Sequence, residues 1–290
     1  MKIKFIPIFL AYFLFFPSCS LFKSDIKEIN SLVEAQTELN KADAKTLVVF
    51  DMDDTLIYPT SNMFLLLYRN TNDFDKSDIN FVNQIRLDFK KFVDSKHDNE
   101  YWNKVNSDVF AKTDFVPVED KTVEIVKNLQ NKKVKVIALT SSNTGKFEVI
   151  DSMEKWREKN LNQVGLDFSK SFNIQEIVFD NFPKLFGFPP VFYKGILCAA
   201  GSKKGPILKS FLEKINFKPD TVIFFDDMYE QCKSVENEMK KSDIPVQCFW
   251  YRGAYKNKIK LNQEVVNYQF EHWKNHEEFL TEKEVVEQLN

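Results

Sequence analysis

Glycine is scarce in this chain, 7 among 290 residues, and histidine is scarcer still at 3. An excess of either charge is also missing: 40 Lys and Arg against 42 Asp and Glu leave a net charge of −2. A near-neutral chain lacks the polycation that phosphate backbones attract, so nucleic-acid binding is not expected. Cysteine occurs only as Cys19, Cys198, Cys232 and Cys248, with no CxxC spacing and therefore no zinc site. Without Cys19 an odd number remains, which allows one disulfide at most or three buried free thiols. His272 and His276 are four apart, as a metal pair on a helix would be, but no third ligand is near. They read as a solvated helix face, and His97 as surface. No internal repeat is present, and nothing in the composition suggests extensive disorder. The length suits one large α/β domain or a core with a smaller insertion.

The apolar run over residues 5–16 is shorter than the ~20 residues a spanning helix needs. Lys2 and Lys4 precede it and Pro17-Ser18-Cys19 follow, the layout of a secretory signal. Phe16-Pro17-Ser18-Cys19 resembles the bacterial lipobox. That resemblance implies an exported bacterial protein, periplasmic or in the cell envelope, with membrane contact through lipid on Cys19. Simple cleavage near Ser18 is the alternative.

Beyond this segment, 1–19, the spacing of Ile26, Ile29, Leu32 and Val33 predicts a first helix within residues 20–45. Buried strands are expected at 47–50, 134–139, 221–225 and 246–251, and a short one at 176–179. Residues 62 to about 131, 146–163, 203–212 and those beyond 262 read as helical, with breaks near 70–78 and 96–100. Phe182 to Tyr193 is rich in aromatics and proline and reads as a packed irregular connection, with a substrate-facing lid as the alternative. Helices leading into apolar strands are the grammar of βαβ units and a parallel sheet.

Three of these strands end in polar groups. Leu47-Val48-Val49-Phe50 runs into Asp51, Asp53 and Thr55; the second strand ends at Thr140 and Ser141; the third ends at Asp226 and Asp227. On an extended chain Asp51 and Asp53 face the same side. Strand carboxyl ends are where ligands sit in open α/β sheets, so these groups should converge. So much negative charge is costly unless a cation or a reacting phosphate shares the site.

This pattern resembles the haloacid dehalogenase-like (HAD) superfamily, which consists mainly of phosphohydrolases. Its DxDxT motif matches Asp51, Asp53 and Thr55; its strand-ending Thr or Ser matches Thr140; its lysine matches Lys204, with Lys203 adjacent; its paired acids match Asp226 and Asp227. The resemblance spans roughly 46–250. It extends to secreted acid phosphatases and to secreted HAD-like families of unknown function. It implies a three-layer Rossmann-like parallel sheet, with a mainly helical cap inserted after the first motif strand. The core would be 20–61 and 115–290, and the cap 62–114.

The resemblance also implies roles. Asp51 would be the nucleophile toward phosphorus and Asp53 the general acid and base. Thr140 would bind a phosphoryl oxygen, and Lys204 would offset transition-state charge. Mg²⁺ would be held by Asp51, Asp226 and the Asp53 carbonyl, supported by Asp227, Ser141 and Thr55. An acid at Asp53 favours hydrolysis of a phosphate monoester, since related dehalogenases lack it and related ATPases carry Thr there. A cap favours a small phosphorylated substrate. The alternatives are a phosphotransferase and a catalytically silent surface lipoprotein that binds a partner.

Overall fold

The computed structural model describes residues 25–96 and 99–289. The segment expected to be a signal, with Cys19, lies outside them. The first part of the chain runs β1 (Lys27–Ile29), α1 (Gln36–Lys41), β2 (Thr46–Phe50) and β3 (Ile57–Pro59). Three helices follow, α2 (Asn62–Tyr68), α3 (Ile79–Ser95) and α4 (Asn99–Ala111), before β4 (Phe115–Pro117). Next come α5 (Thr122–Asn131), β5 (Lys135–Thr140), α6 (Met153–Gln163), β6 (Glu176–Val178), β7 (Val191–Tyr193) and β8 (Ile196–Cys198). The chain closes with α7 (Lys204–Lys214), β9 (Thr221–Asp226), α8 (Tyr229–Lys241), β10 (Val246–Tyr251), α9 (Gln263–His276) and α10 (Glu282–Leu289).

Among the described residues, eight strands form one sheet in the order β1-β10-β9-β2-β5-β8-β7-β6. The first six pair in parallel, and β7 and β6 close one edge antiparallel. Strand β2 is central and wholly buried, as an unbroken apolar run requires. Its alternating side chains build two cores. Leu47 and Val49 pack with Phe211 of α7 and Val235 of α8; Val48 and Phe50 pack with Leu39 of α1 and Ile125 of α5. The result is the three-layer α/β architecture expected from the sequence. Phe50, Phe225 and Phe249 stack across three neighbouring strands at 4.9 and 4.8 Å, so phenylalanine is abundant for packing reasons. Cys198, Cys232 and Cys248 are buried free thiols within these layers.

Two expectations are corrected. Residues 27–29 are a strand, not the start of a helix: Ile29 pairs with Tyr251 and covers the open edge of β10. Edge pairing outweighs the helical spacing, and Val33 is left outside the core. Residues 191–198 form a hairpin, hidden in sequence because each strand has three residues. Its turn places Lys194 and Gly195 at positive φ, and a Cβ on Gly195 would meet the Phe168 carbonyl at 2.2 Å.

Strands β3 and β4 pair as a two-stranded ribbon, so residues 60–114 leave the sheet and return through it. Helices α2, α3 and α4 share an apolar cluster with α9, in which Trp273 stacks on Phe89 at 4.7 Å. Helix α9, grouped with the core in sequence, thus shares the apolar cluster of the helices within 62–114. Asn62 donates to Glu282 through its backbone and side chain at 2.6 and 2.9 Å, which ties the two parts. Among the described residues, no helix is long and apolar enough to cross a membrane.

Candidate active site

At the end of β2 the Asp51 N–H donates to the Phe225 carbonyl at 2.8 Å, which holds Asp51 in register with β9. The chain then turns tightly. The N–H groups of Leu56 and Ile57 both donate to the Met52 carbonyl, and Asp54 takes a φ of 64°. Aspartate tolerates that left-handed conformation better than most side chains. The turn corrects the expectation that Asp51 and Asp53 face one way. Asp51 is bonded to Lys204 of α7 and Asp53 to Arg157 of α6, so the two carboxylates turn toward different partners.

Lys204, the first residue of α7, lies between two strand ends. Its ammonium is buried, ion-paired with Asp51 and bonded to Asp226 at 2.7 Å. Lys203 beside it is exposed, which removes the ambiguity between the two lysines. The other Asp226 oxygen accepts the Met228 N–H at 2.8 Å. Asp227 joins from the next position, and oxygens of Asp51, Asp226 and Asp227 lie within 4.8 Å of one another. Asp227 also accepts the Tyr255 hydroxyl at 2.6 Å.

The end of β5 is equally ordered. The Thr140 hydroxyl is buried and accepts the Ser142 N–H at 3.1 Å. Ser141 is exposed, and its carbonyl accepts the Gly201 N–H, which binds this loop to the one before Lys204. Thr55 is fully buried, and its hydroxyl has no partner among the described residues. Thr140, Lys204, Asp51 and Asp226 therefore gather at the carboxyl ends of β5, β2 and β9, where the sequence pattern puts them. His272 and His276 stack at 4.1 Å on α9, outside this cluster.

Two arginines of the site were not legible in the sequence. Arg157 of α6 donates to Asp53 at 2.5 Å; its own side chain is only 4% exposed, whereas that of Asp53 is 49% exposed. Arg69, just past α2, grips both oxygens of Asp54 and lies over the ring of Tyr58 at 4.9 Å. One signal was available. Arg69, Arg86, Arg157 and Arg252 are the only arginines in a lysine-rich chain. A planar fork is preferred where a buried carboxylate must be held in a fixed orientation.

The electrostatics follow from burial. Desolvation raises the pKa of Asp51 well above the usual carboxylate range, against the pull of Lys204. Asp226 is raised for the same reason. Desolvation pushes Asp227 up to about 7, opposed by the Tyr255 hydrogen bond and reinforced by Asp226 and Asp54. Burial disfavours the charged Lys204 ammonium, but Asp226 and Asp51 outweigh that cost and raise its pKa. Three carboxylates thus share one ammonium, and the site lacks positive charge. A divalent cation fits this donor set: all-oxygen, acidic and clustered, as Mg²⁺ prefers.

Fold and site together define an α/β protein with an acidic, lysine-bridged centre at its strand carboxyl ends. Residues 23–285 match the family described as "Protein of unknown function (DUF2608)", and the chain belongs to that family. Uncharacterized proteins of Rickettsia felis and Rickettsia typhi are 32% identical over 137 and 146 residues. These stretches cover 46% and 49% of this chain and the same shares of the relatives, so the match spans about half their length. An uncharacterized protein of Rickettsia bellii is 24% identical over 269 residues, covering 86% of this chain and 83% of its own. Among solved structures, a haloacid dehalogenase-like family hydrolase from Streptococcus pneumoniae aligns with a TM-score of 0.36 at 12% identity, over 78% of this chain and 98% of that one.

Proposed function

We propose that this protein is a Mg²⁺-dependent phosphohydrolase of the HAD type, acting on a small phosphate monoester and exported to the cell envelope. The observation that carries the reading is Lys204, which bridges Asp51 and Asp226 from adjacent strand ends while Asp53 stands half open beside them. Asp51, Asp226 and the Asp53 carbonyl would hold Mg²⁺, which when bound screens the anionic nucleophile from an anionic phosphate. An Asp51 oxygen attacks phosphorus, the bond to the ester oxygen breaks, and Asp53 protonates that oxygen. Water then attacks the same phosphorus while Asp53 takes its proton, releasing inorganic phosphate and restoring Asp51. Lys204 pulls Asp51 toward its ionised form and fixes its direction, and Thr140 donates to a phosphoryl oxygen. Arg157 sets the orientation of Asp53 between the two proton transfers.

The test is release of phosphate from a panel of monoesters, with Mg²⁺ and with chelator, beside Asp51→Asn. Activity should fall by three orders of magnitude or more, roughly the scale expected when a covalent nucleophile is lost. Turnover unchanged in Asp51→Asn, or absent in the wild type on every ester, rejects the reading. Absence throughout would favour a binding role for the same fold.

A further inference from the structure

Exposed aromatic side chains are few in the described part of the molecule, and two of them belong to one continuous wall. Tyr68 and Phe186 are 40% and 50% exposed. Between them lie Phe110, 5.4 Å from Tyr68, and Phe147, 5.1 Å from Phe186; these two are 6.2 Å apart. Trp156 stacks on Phe110 at 5.9 Å. Phe147 is itself buried with Ile150 and Met153 and backs the wall, whose open surface is Tyr68 and Phe186 with the partly buried Phe110 and Trp156.

The wall is tied to the loop after β2 at two points. Arg69, next to Tyr68, grips Asp54. Arg157, next to Trp156, holds Asp53 at 2.5 Å. Its guanidinium also lies over the Trp156 ring at 5.2 Å. The Tyr68 end of the wall thus adjoins the arginine that holds Asp54, and Trp156, stacked on its middle, lies against the arginine that holds Asp53. A proton donor stands beside the oxygen of the leaving group, so whatever that oxygen carries is presented toward this side of the site.

We infer that the aromatic wall is a leaving-group subsite, and that the substrate is a phosphate monoester whose alcohol bears an aromatic ring. This rests on the phosphohydrolase reading and sharpens it. Stacked or edge-on contact with such a wall adds about two- to tenfold in affinity beyond the area covered. An aliphatic alcohol has no counterpart to that contact.

The experiment compares 2-phenylethyl phosphate with propyl phosphate, using the full chain and Mg²⁺. Both leaving groups are primary alcohols of similar acidity, so the ring is the main difference and bond cleavage is matched. The phenyl ester should be favoured at least tenfold in kcat/KM, mostly through KM. The ratio should fall toward one in at least one of Tyr68→Ala and Phe186→Ala, whichever end of the wall the ring meets. It should persist in Leu87→Ala, which removes an exposed apolar side chain on α3 away from the wall. Equal hydrolysis of the two esters by the wild type overturns the subsite and leaves the phosphohydrolase reading standing. A preference that survives both wall substitutions, or that is lost in Leu87→Ala, overturns the assignment to these residues. Hydrolysis of neither ester, nor of 4-nitrophenyl phosphate, removes the reading and the subsite together.

Discussion

Asp51 and Asp53 stand two residues apart and are compensated in opposite ways. Asp51 is buried and shares one lysine with Asp226; Asp53 is half open and meets an arginine that reaches in from α6. A lysine is a compact charge that can sit between two carboxylates. Arg157 instead gives Asp53 a single N–H bond from one side, with the rest of that carboxylate left to solvent. The inner acid therefore shares one cation with its neighbours, and the outer acid has an arginine of its own. Under the proposed phosphohydrolase reading, that division separates a buried nucleophile from a proton carrier that reaches solvent.

The largest expected effect tests the inner half. Lys204→Met leaves Asp51, Asp226 and Asp227 with no ammonium in a buried site, and should cost about 3–5 kcal/mol of stability by urea unfolding. Part of that loss should return with millimolar Mg²⁺. Arg157→Met should cost much less, about 1 kcal/mol, because solvent can hydrate Asp53. Its effect should instead fall on kcat, roughly ten- to a hundredfold, as for a displaced general acid. Similar stability losses in the two variants would break the distinction between them.

The next effect concerns pH in the absence of metal. Burial pushes Asp227 up to about 7 in the folded chain, from an ordinary value of 3.8. The folded state thus binds the extra proton more tightly than the unfolded state does. The associated stabilisation is complete below about pH 4 and is lost as pH rises through 7. Melting temperature should decline from pH 5 to pH 8, and Asp227→Asn should flatten the decline. Added Mg²⁺ should raise the melting temperature more at pH 8, where it does not compete with a proton. A pH-independent melting temperature in metal-free wild type would contradict this account of the site.

The difference between the halves also explains what the sequence could convey. Asp51, Thr140, Lys204 and Asp226 end or begin regular elements of a parallel sheet, so apolar runs with polar ends were enough to bring them together. Arg157 and Arg69 lie within or just past helices whose orientation only packing decides. Nothing in the local pattern around Trp156 or Tyr68 indicates which acid each neighbouring arginine will meet. Hairpin β7–β8 escaped for a different reason: three-residue strands carry almost no periodicity. The pairing of β1 with β10 depends on a contact more than two hundred residues away, which no window of sequence contains.

The smallest effect tests the hydroxyl that joins the two halves. Tyr255 lies 2.6 Å from Asp227 and 3.3 Å from Asp54, and its single proton can serve only one of them. The shorter contact assigns it to Asp227, where it opposes the upward shift caused by burial. Tyr255→Phe should cost about 1 kcal/mol, the usual value of one such bond. More tellingly, it should move the pH-dependent loss of stability in metal-free protein above 7, since the ionised Asp227 loses its donor. If the proton instead serves Asp54, the midpoint stays in place, because the two arginine bonds already hold that carboxylate. The direction of the shift thus decides whether Tyr255 serves Asp227 in the carboxylate cluster or Asp54 in the arginine-held turn.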